Sequence, residues 1–273
     1  MKPIDRVMRV PKRPIALTVA GSDPGGGAGI QADLKTFAAL KVYGYSALTA
    51  VIAQNSSTVA RIAAVEPAMV VAQIEIVAAE HRPDAVKIGA LANEAVVRAV
   101  ARCFTAMALP APVLDPVLLS SSGTRLLDRK GERAMRTHLI PLARIITPNL
   151  PEAEALTHMR IGDGAAMREA ARELYLMGAR AVVIKGGHFK NRNESIDLFY
   201  DGTDFVELRG KRIPGGGAHG TGCAFSAAIA AFLARGEHLP KAVRAAKRYV
   251  SLALERSFRL GSGRALLDHF ARS

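Results

Sequence analysis

The sequence IALTVAGSDPGGGAGIQADLKTFAAL, residues 15–40, holds the strongest information about the fold. Its first part, Ile15–Ala20, is an apolar run that ends at a glycine, which is typical of a buried strand. From residue 28 to 40 apolar residues return at helical spacing. The intervening loop, Gly21–Gly29, would let the backbone approach a ligand closely, and the helix start after it favours anions. A merely flexible turn is the alternative interpretation.

Outward from this unit, short apolar runs alternate with helical patterns along most of the chain. Further strands are predicted at 47–53, 85–88, 113–114, 145–147 and 181–184, with helices at 66–80, 93–107, 221–234 and 241–255. A hairpin-like pair at 195–200 and 204–208 breaks the rhythm. The alternation predicts an α/β fold with a mostly parallel central sheet and helices on both faces. Without a linker or repeat, residues 14–273 are expected to form one domain after a flexible basic leader, 1–13.

The composition favours a cytoplasmic protein that acts on small molecules. The formal net charge is +13, but the basic residues are scattered, aromatic residues make up 5% and Trp is absent, so no specific nucleic-acid binding is expected. No apolar run approaches the roughly 18 residues that span a bilayer, so no membrane association is expected. Cys103 and Cys223 lie far apart and form no disulfide framework, which favours a reducing compartment.

Polar and glycine-rich segments fall where the predicted strands end. They are Gly21–Gly29, Gln54-Asn55, Gly89, Asp115, Thr147–Glu152 and Lys185–His188. Ligands of open parallel sheets bind beyond the carboxyl ends of the strands. The sequence therefore predicts one active-site edge, assembled from several strands.

The second glycine-rich segment is GGGAHGTGC, residues 215–223, which leads into a helix. Residues 215–220 match Gly-x-Gly-x-x-Gly, but no strong strand precedes them and no βαβ unit follows, so a dinucleotide site is not predicted. Backbone N–H groups from Gly220 to Cys223 would form an anion hole for a phosphoryl group. A helix start would lower the pKa of the Cys223 thiol. A glycine linker before a buried cysteine is the alternative.

Three further residues suggest phosphate chemistry. Asn149 and Glu152 could share a Mg²⁺ shell through water, although the same residue types often begin helices. Lys185 stands beside two glycines and is a plausible phosphate partner, or else a plain surface lysine. His188 and His219 lack the companion ligands of a zinc site.

With these segments in place, the chain resembles the hydroxymethylpyrimidine/phosphomethylpyrimidine kinases of the ribokinase superfamily, from about Ile15 to Glu255. The segments that carry the resemblance are AGSDP (20–24), GAGIQADLKTF (27–37), AQN (53–55), KIG (87–89), TPNLPEA (147–153), KGGH (185–188) and HGTGC (219–223). The resemblance implies a ribokinase-like fold, a homodimer, and the use of ATP and Mg²⁺. It also implies phosphorylation of 4-amino-5-hydroxymethyl-2-methylpyrimidine and its monophosphate in thiamine biosynthesis.

The resemblance also assigns roles to individual residues. Positions that match the pyrimidine pocket are Gly21, Asp33, Gln54 and Val117. Positions that match the nucleotide, phosphate and metal site are Asp115, Asn149, Lys185, Thr221 and, for the metal, Glu152. Gly220, Gly222 and Cys223 match the anion hole, with Cys223 as the base that takes the hydroxymethyl proton.

The sequence departs from the family pattern near the substrate. Ala90 stands where many members have a Met that packs on the substrate ring, Gly217-Ala218 replace Asn-Thr, and Ser56–Thr58 also differ. A pyridoxal-type kinase therefore stays open as an alternative. A non-catalytic ligand-sensing or nucleic-acid-binding protein on the same fold is a further alternative, favoured by the charge and the altered pocket.

Overall fold

The computed structural model describes residues 13–187, 194–212, 218–261 and 263–271. Its strands are β1 (Ile15–Ala20), β2 (Tyr43–Leu48), β3 (Ala50–Gln54), β4 (Val59–Ala64), β5 (Ala85–Ile88), β6 (Val113–Leu114), β7 (Ile145–Ile146), β8 (Val182–Ile184), β9 (Glu194–Tyr200) and β10 (Phe205–Lys211). Its α-helices are α1 (Gly29–Ala39), α2 (Pro67–Glu80), α3 (Glu94–Ala106), α4 (Arg129–Ala134), α5 (Leu150–Thr157), α6 (Gly164–Leu176), α7 (Thr221–Ala234) and α8 (Leu239–Glu255).

Within the described ranges, eight strands form the central sheet, in the order β10-β9-β8-β7-β6-β5-β1-β2. The neighbours from β8 to β2 pair in parallel, whereas β9 pairs antiparallel with both β8 and β10. The prediction of a mostly parallel sheet with an irregular hairpin near its end is confirmed. Because the parallel strands share one direction, their carboxyl ends meet at one edge of the sheet.

Helices cover both faces of this sheet, as predicted. Apolar side chains of α2, α3, α5 and α6 form one buried cluster, and those of α1, α7 and α8 form another. Strand β1 contributes side chains to both clusters, since Leu17 and Val19 belong to the first cluster and Ala16 belongs to the second. That division follows from the two-residue period of a strand, and burial on both faces explains why β1 is apolar almost throughout.

The segment predicted as one strand at 47–53 belongs to two strands, the end of β2 and the start of β3, because the chain changes direction at Thr49. Its N–H donates to Ala20 (3.0 Å) and its hydroxyl donates to the carbonyl of Ala90 (2.6 Å). The chain then leaves the central sheet and forms a separate antiparallel hairpin of β3 and β4. Within β3, Ile52 is buried while Val51 is 56% exposed, so one face of the hairpin turns towards the protein.

The predicted helices are confirmed, and capping side chains explain several of their starts. Glu66 accepts the N–H of Met69 before α2, and Asn93 accepts the N–H of Val96 before α3. In the described parts of the chain, no helix combines the length and apolar character needed to cross a membrane. The predicted leader, 1–13, lies outside the described residues except for its last residue.

Candidate active site

A cavity of about 830 Å³ lies at the carboxyl edge of the parallel strands. Among the residues singled out from the sequence, those that line it are Gly21, Gln54, Ala90, Asp115, Val117, Asn149, Glu152, Lys185, Gly220, Thr221, Gly222 and Cys223. The loops therefore meet as predicted from the direction of the strands. His188 and residues 215–217 lie outside the described residues.

Two glycine-rich loops pack backbone against backbone around Cys223. Helix α7 begins after Gly220, whose φ of 81° is left-handed, and a Cβ at that position would overlap the carbonyl oxygen of Gly27. Cys223 lies in the first turn of α7, and its sulfur accepts the N–H of Gly29, the first residue of α1. The thiol therefore stands at the starts of two helices.

The expectation of a lowered thiol pKa is nevertheless wrong. Burial raises the pKa of Cys223 to about 11, and the positive charge of Lys87 opposes this effect only in part. The negative charges of Asp115 and Asp33 raise it further. The thiol is therefore predominantly protonated at neutral pH, because burial and two carboxylates outweigh the helix starts.

Lys185 and Asp115 form a buried ion pair beside the first turn of α7, close to Gly222. The Lys185 Nζ lies 3.1 Å from the Asp115 Oδ1, and the Ser226 hydroxyl donates to the other carboxylate oxygen at 3.2 Å. Burial alone would lower the pKa of Lys185, but the charges of Asp115 and Glu152 raise it. Lys185 is therefore a permanent cation, suited to an anionic ligand.

Asn149 and Glu152 form the helix cap that the sequence left open as an alternative. The Asn149 side chain accepts the N–H of Glu152 (2.9 Å), and the Glu152 carboxylate accepts the N–H of Asn149 (2.8 Å), at the start of α5. Burial raises the pKa of Glu152 against the attraction of Lys185. Both capping side chains also line the cavity, so capping and ligand binding are compatible at this position.

Asp33 does not line the cavity, contrary to the expected substrate contact. It is completely buried, and its Oδ2 accepts the Thr18 hydroxyl (2.6 Å) and the Lys87 Nζ (2.7 Å). Lys87 lines the cavity in its place. Sequence reasoning gave Lys87 no role, although a lysine inside the apolar strand Ala85–Ile88 is a visible signal.

A second missed pair joins the two glycine-rich loops. The His219 Nε2 lies 2.9 Å from the Asp23 Oδ2, and the Asp23 carboxylate also accepts backbone N–H groups of Gly25, Gly27 and Ala28. Burial alone would raise the pKa of Asp23, but His219 and the N–H groups of Ala28 and Gly25 lower it. The pair braces the loop of Gly21–Gly29 against the start of α7.

The cavity thus combines backbone N–H groups, a permanent cation, a thiol and the side-chain amide of Gln54. Such a set can hold a phosphoryl group, accept a proton from an alcohol and recognise a polar ring. Together with the sheet topology, these groups define a small-molecule kinase of the ribokinase-like class.

Comparison with known proteins identifies a family within this class of kinases. The model of the family described as phosphomethylpyrimidine kinase matches residues 23–268. The hydroxymethylpyrimidine/phosphomethylpyrimidine kinase of Rhizobium meliloti is 46% identical over 94% of this chain and 97% of the relative. The thiamine biosynthesis bifunctional protein ThiED of Geobacter sulfurreducens is 45% identical over 93% of this chain, which spans only 51% of that longer protein. The chain belongs to the phosphomethylpyrimidine kinase family.

Among solved structures, the ADP complex of the pyridoxal kinase from Bacillus subtilis is similar, with a TM-score of 0.88 and 36% identity over 95% of this chain and 98% of that one. The fold therefore agrees with the ribokinase-like class over nearly the whole chain.

Proposed function

We propose that this chain transfers the γ-phosphoryl group of ATP to 4-amino-5-hydroxymethyl-2-methylpyrimidine, and then to its monophosphate, in thiamine biosynthesis. One observation carries the proposal: Cys223, Lys185 and Gln54 line a single cavity together with the backbone of Gly220 and Gly222. The name of the Rhizobium meliloti relative supports the pyrimidine substrates, and that of the Geobacter sulfurreducens relative supports thiamine biosynthesis.

Each group has a defined task in this reaction. The Gln54 amide pairs with the ring and its amine, and Val117 supplies an apolar wall. The thiolate form of Cys223 takes the hydroxymethyl proton as the oxygen attacks the γ-phosphorus. Backbone N–H groups of Gly220 and Gly222 stabilise the charge on the transferring group, and Lys185 pairs with phosphate oxygens. Asp115 holds the Lys185 ammonium at 3.1 Å.

Mg²⁺ is compatible with the donors on the cavity wall. Hard oxygen ligands suit this ion, which keeps several waters and binds one or two carboxylates together with substrate phosphates. Glu152 and Asn149 would hold it through water, because their own hydrogen bonds cap α5. When bound, the ion neutralises phosphate charge.

A pyridoxal-type kinase is the second candidate. The similarity to a pyridoxal kinase structure favours it, and so does Ala90, which leaves room for a different ring. The decisive test is steady-state ADP release with the pyrimidine, its monophosphate and pyridoxal, with products identified by phosphorus NMR. We expect the highest kcat/KM for the pyrimidine and a diphosphate product from the monophosphate. A kcat/KM higher for pyridoxal would reject the proposal in favour of this candidate.

The chain offers a matched control for that assay. Cys103 is buried in the hydrophobic cluster between the sheet and α3, away from the cavity, so Cys103→Ala should retain turnover. Turnover that is lost in Cys103→Ala and retained in Cys223→Ala would contradict the assignment of Cys223.

We further propose that residues 14–273 act as one domain, in a cytoplasmic homodimer that needs neither a membrane nor a specific nucleic acid. The family resemblance supports the dimer, and sedimentation equilibrium tests it. Any binding to DNA should be weak and should disappear as salt rises, since only phosphate contacts would contribute. Sequence-selective nanomolar binding at physiological salt would support the ligand-sensing or nucleic-acid-binding alternative.

A further inference from the structure

The mechanism above gives no task to the ion pair of Lys87 and Asp33, of which Lys87 lines the cavity. Lys87 and Asp33 are both completely buried, and the Lys87 Nζ lies 2.7 Å from the Asp33 Oδ2. Such pairs often contribute little net stability, because desolvating two charges offsets their attraction. Among the residues that the structure describes, the Oδ1 of Asp33 finds no hydrogen-bond partner, which adds a further cost. The pair therefore calls for an explanation other than stability.

Helix α1 brings this pair close to the thiol. Gly29 and Asp33 lie one turn apart on the helix, a rise of about 6 Å for four residues. The N–H of Gly29 contacts the Cys223 sulfur, and the Asp33 carboxylate holds the Lys87 ammonium. Lys87 and Cys223 also line the same cavity.

Strand β5 leaves space for the ammonium group. A Cβ at Gly89 would lie 2.7 Å from the Lys87 Nζ, a distance that real side chains do not tolerate. Lys87 and Gly89 are two residues apart, so side chains at these positions point to the same face of the sheet. A side chain at position 89, directly after β5, would therefore require the Lys87 ammonium group to shift.

Among the described residues, the charged groups that act on Cys223 include Lys87, Lys185, Asp115 and Asp33. Among the influences that lower the pKa of Cys223, the charge of Lys87 is the largest. Asp33 acts in the opposite direction and raises that pKa. The two members of one ion pair thus have opposite effects on the same thiol.

We infer that Lys87 is a positioning residue that stabilises the thiolate of Cys223, and that Asp33 holds its ammonium group in place. The inference rests on the proposed function where it treats Cys223 as the base. The thiol loses its proton to solvent, and the thiolate then takes the proton of the substrate hydroxyl. As the oxygen attacks the γ-phosphorus, the bond between that phosphorus and the β–γ bridging oxygen breaks and ADP leaves.

The test measures thiolate formation directly. In a Cys103→Ala background Cys223 is the single thiol, and its alkylation by iodoacetamide is followed against pH. Lys87→Met should slow alkylation at pH 8 by roughly 10- to 100-fold, because the positive charge that does most to lower the pKa of the thiol is lost. Asp33→Asn should accelerate it, because an anion is lost and the ammonium is unopposed.

A structural role for the pair predicts a different outcome. Loosening of the site would expose Cys223 in both variants and accelerate alkylation in both, and that result would overturn the inference. Unchanged pH profiles would overturn it as well. Should a single variant fail to fold, Lys87→Met/Asp33→Asn removes both charges at once, which buried pairs tolerate well. This double variant should still react several-fold more slowly than the parent, because the Lys87 effect is the larger one.

The chain provides a matched control in Lys247 and Asp197. Their Nζ and Oδ2 atoms are also 2.7 Å apart, both side chains are largely buried, and both line the cavity. Lys247→Met and Asp197→Asn should leave the Cys223 alkylation profile unchanged. Turnover of Cys223→Ala is measured separately: if it persists while the alkylation profiles shift as expected, the base assignment fails and the inference on the thiolate stands.

Discussion

Ala90→Met is the most direct probe of substrate choice. Ala90 lines the cavity together with Gln54 and Val117, and its carbonyl accepts the N–H of Gly21 (3.1 Å) and the hydroxyl of Thr49 (2.6 Å). These bonds hold the backbone in place, so a longer side chain should extend into the cavity without displacing the strand end. The substitution restores the residue that many family members have at this position.

The size of the effect follows from the added apolar surface. Methionine adds three heavy groups to alanine, and each buried methylene is worth about 0.8 kcal/mol. Complete packing on the substrate ring would therefore stabilise the complex by about 2 kcal/mol, or roughly 30-fold in affinity. A ring with a larger 2-substituent should be rejected, because it competes with the new side chain for the same space.

The assay is kcat/KM for the pyrimidine and for its larger analogue, in both proteins. Ala60→Met, on the exposed part of β4, is the matched control and should change neither value. If Ala90→Met leaves the ratio of the two substrates unchanged, position 90 does not contact the ring and the placement of the pyrimidine is wrong.

Four further outcomes test the rest of the site. Cys223→Ala should lower kcat by about 10²–10⁴-fold with little change in substrate affinity, as loss of a general base does, and a near-normal kcat would contradict the assignment. Gln54→Ala should raise KM for the pyrimidine through a loss of about 1–3 kcal/mol and spare KM for ATP; equal effects on both would exclude a ring contact. Gly220→Ala should reduce both kcat and the free energy of unfolding in urea, because the φ of Gly220 is 81° and the Gly27 carbonyl leaves no space for a Cβ. The loss in unfolding free energy should be at least about 1 kcal/mol. A stable, active variant would refute this expectation. Burial lowers the pKa of His269 from 6.5 to about 4, so the unfolded chain takes up the proton first as the pH falls. Stability should therefore be complete above about pH 6.5 and decline by up to about 3 kcal/mol towards pH 4, less so in His269→Gln; identical pH curves would show that His269 is not responsible.

Strong local patterns made most of the fold predictable. Apolar runs that end at glycines or polar residues located β1 and β5, and helical spacing located α7. The break at Thr49 was not predictable, because residues 47–53 are apolar on either side of it and the turn depends on hydrogen bonds to Ala20 and Ala90. The local sequence pattern does not indicate these hydrogen-bond partners.

The positions of the site residues could be predicted better than their chemistry. Parallel strands share a direction, so Asp115, Asn149 and Lys185 had to meet at one edge. The burial of Asp33 beneath Lys87 and the raised pKa of Cys223 depend on how deeply the helices pack against the sheet. A motif specifies residue types and spacing but not the depth at which a group lies.

The hydrogen bond between Asp23 and His219 determines when the phosphate-binding site can form during synthesis of the chain. The two residues are 196 positions apart, and closing a loop of that length costs about 5 kcal/mol of chain entropy. His219 also pairs with Leu266 through a β-bridge, so the anion hole needs a segment that leaves the ribosome late. Synthesis proceeds at roughly 5–20 residues per second, so the first glycine-rich loop is made about 10–50 s before the segments that it contacts. A nascent chain that still lacks Leu266 has the parallel strands β1, β2 and β5 to β8 but an incomplete phosphate-binding site.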